Sequence, residues 1–71
     1  MVHIGKIIES VFYEQGRSPS WFAKQLHCDR SNVYNIFKRE SIDTLLLIRI
    51  SKILGHNFLK YYKEELNDVA E

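Results

Sequence analysis

The tightest constraint on this chain lies in residues 21–38, WFAKQLHCDRSNVYNIFK. An amphipathic helical pattern stalls at His27-Cys28-Asp29 and then resumes with a second pattern of the same kind. Two helices separated by so short a break must turn sharply. Either they display the second helix to a partner, or they form an ordinary helical hairpin with a solvated polar face.

The rest of the chain repeats the same grammar. Ile4, Ile7, Ile8, Val11 and Phe12 fall at the i, i+3, i+4, i+7 and i+8 positions of one apolar face, which predicts a first helix from about His3 to Gln15, ended by Gly16. Ser18 is placed to cap a second helix and Pro19 to occupy its first position, where the missing N–H costs nothing. That helix runs to Leu26 and buries Phe22, Ala23 and Leu26. Asp29 caps a third, reaching about Arg39, with Val33, Ile36 and Phe37 inward. Ser41 is the expected cap of a fourth, whose apolar set (Ile42, Leu45, Leu46, Leu47, Ile48, Ile50, Ile53, Leu54) predicts a central core helix buried on more than one side. Gly55 closes it. Asn57 is expected to cap a fifth, with Phe58, Leu59, Tyr62 and Leu66 facing inward. No stretch alternates with period two, so the fold class is all-α, a compact five-helix bundle.

At 71 residues, with 45% apolar and 27% charged residues, the chain is one small globular domain. Residues 1–66 are read as that domain and 67–71 as a frayed acidic tail. The longest wholly apolar run, Leu45 to Ile48, falls far short of the roughly 20 residues a membrane span needs. The single cysteine, Cys28, excludes an internal disulfide and suits a reducing compartment, so the expected location is cytoplasmic. His27 and Cys28 share a tight turn without further spaced ligands, and neither a metal nor a cofactor is expected. No nucleophile-base arrangement or phosphate loop is present, which argues against an enzyme.

The formal net charge of +1 conceals a polarity along the chain. Residues 1–63 carry all ten Lys and Arg with five Asp and Glu, a net +5, while Glu64, Glu65, Asp68 and Glu71 make the last eight residues −4. A basic body modestly favours a polyanionic partner. On a helical wheel, Ser31, Asn35 and Lys38 stand opposite the inward residues of the third helix, flanked by Arg30, Asn32, Tyr34 and Arg39. Arg can pair with guanine O6 and N7, and Asn with adenine N6 and N7.

The segment 19–38 resembles the helix-turn-helix of Cro/cI-type repressors, the XRE family. Ala23 stands where a small residue is needed between two crossing helices, with Phe22, Leu26, Cys28, Val33 and Ile36 at the apolar positions. SIDTLLLIRISKILGHNFLKYY is similar to that family's fourth helix, its leucine-glycine ending and an aromatic-led fifth helix. The likeness spans about residues 4–66. Two positions depart from it: His27 replaces the usual turn glycine, and Pro19 replaces a glutamine that touches the DNA backbone.

The resemblance implies a lambda-repressor-like domain that binds double-stranded DNA in sequence-specific fashion, a bacterial or phage-type transcriptional regulator or repressor. Its base-contacting positions fall on Arg30, Ser31, Asn32, Tyr34 and Asn35. Phosphate contacts are expected from Ser18, Ser20, Lys38, Arg39 and Ser41. A single half-site is a weak anchor, so a homodimer is expected. Phe58, Leu59, Tyr61 and Tyr62, more aromatic than one inward stripe requires, are the candidate dimer surface. Trp21 is read as packed or partly exposed, with a DNA-backbone or partner contact as the alternative. The alternative function is a helical protein-interaction module that uses the aromatic face of the fifth helix.

Overall fold

The computed structural model describes residues 2–69, which form five helices and no strand. In chain order these are α1 (Ile4–Glu14), α2 (Pro19–Leu26), α3 (Arg30–Lys38), α4 (Thr44–Leu54) and α5 (Lys60–Lys63), followed by a short 3-10 turn at Glu64–Leu66. The expected positions 70 and 71 of the tail lie outside the described residues.

The first three helices start and stop where local chemistry directs. Ser18 accepts the Trp21 N–H in its Oγ at 3.1 Å, capping α2, and Pro19 takes the first helical position. Each of α1, α2 and α4 is followed by a residue with positive φ: Gly16, His27 and Gly55. After α1 and α2 the backbone makes the same pair of closing bonds. Arg17 N–H reaches Phe12 O and Gly16 N–H reaches Tyr13 O; Cys28 N–H reaches Ala23 O and His27 N–H reaches Lys24 O. This pairing satisfies carbonyls that the helix end would otherwise orphan.

Phe12, Phe22 and Phe37, one from each of α1, α2 and α3, have ring centroids 5.3 Å apart for Phe12–Phe22 and Phe12–Phe37. Around this cluster Ile4, Ile8, Leu26, Val33 and Ile36 are buried. Both α1 and α2 pack against α3, which makes α3 the helix at the centre of that half of the molecule.

The fourth helix departs from expectation twice. Its cap is Asp43, whose Oδ1 accepts the Leu46 N–H at 2.9 Å, and not Ser41, which lies in the linker before the helix begins. Both residues are good caps, and the one two positions later closes a geometry in which Ile42 packs on the core from the linker. Nor is α4 central. It buries Leu47, Ile50 and Leu54, leaves Leu46, Ile48 and Ile53 half-buried, and leaves Leu45 80% exposed. Its dense apolar content exceeds what this one chain covers.

The fifth helix is also shorter than expected. Phe58 is buried and its N–H bonds to Ser51 Oγ, which itself donates to Leu47 O. Asn57 Oδ1 accepts from Leu59 N–H, so a side-chain turn replaces the first helical turn. Leu59 and Leu66, expected inward, are exposed.

Candidate nucleic-acid interface

Everything that could present α3 to a partner is set by its two ends. At the N-terminal end, His27 sits at φ 56 and ψ 46, within the left-handed region. Ala23 is buried against the turn, where a larger side chain would hold the helices apart. Asp29 has the extended backbone of a cap, but its side chain makes no capping bond. The expectation that its carboxylate is turned onto its own helix is therefore corrected: the charge stays in solvent beside Arg30.

At the C-terminal end, α1 clamps the chain as it leaves α3. Gly5 N–H bonds to Arg39 O at 2.9 Å and Ile4 N–H to Glu40 O at 3.3 Å. These donors belong to the first turn of α1, where no intrahelical partner exists. The approach requires a bare Cα: a Cβ on Gly5 would lie 2.5 Å from both Arg39 O and Ile36 O. Sequence reasoning missed Gly5. The available signal was a glycine inside a helical pattern, a position that costs about 1 kcal/mol against alanine and calls for a packing reason.

Between these anchors, Val33, Ile36 and Phe37 are buried, while Arg30, Ser31, Asn32, Tyr34, Asn35, Lys38 and Arg39 are all exposed. None of those seven side chains hydrogen-bonds to another described residue. Their donors and acceptors are open to solvent. Asn32, Asn35 and Arg39 border a groove with Cys28 and Leu46, on the α4 side. Tyr34 and Lys38 border the other flank, facing Lys6 and Glu9 of α1. Tyr34 is also propped edge-on against Phe37, with centroids 6.4 Å apart at 82°, so its ring is the least free of the five base-reading candidates.

The phosphate candidates divide. Ser18 Oγ is engaged as an acceptor by its own helix but keeps its O–H to donate, and Ser20, two residues on, is exposed. Beside them the Arg17 guanidinium lies 4.3 Å from the centre of the Trp21 ring. This stack explains the half-buried Trp21 and adds a cation at the positive end of α2, a residue the sequence reading passed over. Ser41 lies near Val2, His3 and Tyr62, beside the start of α1 and three residues before α4 begins. Asp43 occupies the N-terminus of α4, where its carboxylate takes the Leu46 N–H.

Of the four residues expected at a dimer surface, one is corrected. Phe58 is fully buried and belongs to the core. Tyr61 is half-buried, its hydroxyl 2.7 Å from His56 Nε2 and its ring stacked on the imidazole at 5.8 Å. Tyr62 is half-buried beside Val2 and Glu65. Only Leu59 of the four is exposed. The aromatics hold the short C-terminal helix onto the bundle.

Among the described residues no group of three or more His, Cys, Asp or Glu side chains could hold a metal ion, and no helix is long and apolar enough to cross a membrane. Compared with known protein families, curated proteins and solved structures, the chain matches none.

Proposed function

We propose that this chain is a sequence-specific double-stranded DNA-binding protein of the Cro/cI helix-turn-helix type, a transcriptional regulator that inserts α3 into the major groove. The observation that carries the reading is the face of α3: seven exposed polar or cationic side chains, none hydrogen-bonded to another described residue, on a helix held at both ends. In this reading Arg30, Ser31, Asn32 and Asn35 meet base edges, with Tyr34 at the rim. Lys38 and Arg39, clamped by α1, and Arg17, Ser18 and Ser20 at the start of α2, grip phosphates on either side.

Two copies on a pseudo-palindrome, with half-sites about 34 Å apart, would give the affinity that one small domain lacks. The competing reading, an interaction module built on the aromatic face of α5, loses its leading residue because Phe58 is buried.

Selection of bound duplexes from random DNA, repeated at two salt concentrations, tests the proposal. Arg30→Ala and Asn35→Ala should each relax preference at one base position, at a cost of about 1–3 kcal/mol. Lys38→Ala should weaken all sequences alike. Enrichment of no sequence, with binding unchanged in all three variants, would exclude this function.

A further inference from the structure

The outward surface of α4 is apolar and basic. Leu45 is 80% exposed, Ile48 is half-buried one turn on, and Leu59 joins Ile48 and Lys52 around a shallow recess. Arg49 and Lys52, both exposed, are the only charged residues of the helix. The segment after α5 has the opposite character. Leu66 and Val69 are 61% and 52% exposed at i, i+3 spacing, among Glu64, Glu65 and Asp68.

Neither strip covers the other within one chain. Leu45 and Leu66 both remain in solvent, and Glu65 Oε1 is bonded instead to the Val2 N–H at 3.1 Å. The radius of gyration is 12.7 Å, against about 11 Å for a closely packed chain of this length, because the described chain is elongated, 42 × 19 × 18 Å.

We propose that a second copy of this chain covers α4: the acidic, apolar 64–69 segment of each protomer lies on the basic, apolar α4 face of the other. In this arrangement a two-fold axis relates the protomers, so each strip meets its opposite on the other chain and the assembly closes as a dimer. Leucine meets leucine and valine at the centre, while Arg49 and Lys52 meet Glu64 and Asp68 at the rim. The inference stands apart from the DNA reading, because it is measured without DNA.

Sedimentation equilibrium of the full chain, from low to high micromolar concentration, is the test. The chain should dimerise, and the dimer should weaken as salt rises. Leu45→Asp should raise the dissociation constant about tenfold or more while leaving the helical circular dichroism unchanged, because the side chain is already in solvent. Arg49→Glu with Lys52→Glu should do the same. Adding Glu64→Lys and Asp68→Lys to that pair should restore the dimer. A chain that stays monomeric throughout at low salt, as it would if the acidic segment folded onto its own α4, overturns the proposal; so does a quadruple variant no better than the double.

Discussion

His27 carries a cost that glycine would not. A side chain at φ 56 brings Cβ toward the following carbonyl, a strain of about 1–2 kcal/mol that is partly offset by the lower backbone entropy histidine loses on folding. His27→Gly is therefore expected to stabilise the fold by about 1 kcal/mol, raising Tm by roughly 4–8 °C. Urea denaturation measures this, and a loss of stability would mean that the imidazole makes a contact worth more than the strain. Gly5 is the reverse case. Helix propensity alone favours Gly5→Ala by about 1 kcal/mol. The carbonyls of Ile36, Phe37 and Arg39 within 2.6 Å of the new Cβ should override that, for a net destabilisation of about 1–3 kcal/mol. A stabilised Gly5→Ala protein would show that α1 does not clamp the end of α3.

Among the elements, α4 separates cap from bystander. Asp43→Ala should lower stability by about 1 kcal/mol through the lost bond to Leu46 N–H, whereas Ser41→Ala should stay within about 0.5 kcal/mol. Equal losses in chemical denaturation would return Ser41 to the role the sequence suggested. Asp43→Asn keeps a capping oxygen and removes the charge. If DNA passes near the start of α4, affinity should rise in that variant at low salt while stability barely changes; an unaltered affinity in a binding assay would place α4 away from the phosphates. For α3 itself, the division of labour follows its wheel. Ser31 borders neither flanking groove, Asn32 and Asn35 border the α4 side, and Tyr34 borders the α1 side.

For the molecule as a whole, charge distribution governs the salt response. With Arg17, Lys38 and Arg39 as the phosphate-facing cations of each protomer, the slope of log K against log salt should be about −3 per protomer, near 0.9 for each phosphate neutralised. A filter-binding or anisotropy titration across salt reads it. Removing Arg17 as Arg17→Ala should flatten the slope by about one without altering the preferred sequence. A change in sequence preference would move Arg17 from backbone to base contact. The acidic residues 64–69 lie at the opposite sign from this surface, and in the proposed dimer they are neutralised by the partner's α4.

The helix limits and inward faces of the first 39 residues were legible because they are set locally. Ser18, Pro19, Gly16 and the spacing of Phe22, Ala23 and Leu26 each act through neighbours within one or two turns of chain. The identity of the exposed face on α3 was legible for the same reason, since a helix of period 3.6 that buries Val33, Ile36 and Phe37 must turn Ser31, Asn35 and Lys38 away. What the sequence could not rank were competitors that differ only in distant partners. Ser41 and Asp43 are equally good caps until the path of Ile42 selects one, and Phe58 reads as readily outward as inward until Ser51 captures its N–H. Gly5 matters only because the chain leaving α3 passes 2.9 Å from its N–H, and Leu45 is solvent-facing because α4 turns Leu47, Ile50 and Leu54 to the core and no described element covers the opposite side. Periodicity says which residues of a helix share a face. Which faces find cover depends on the volume the other helices fill, and that is decided only when the chain packs.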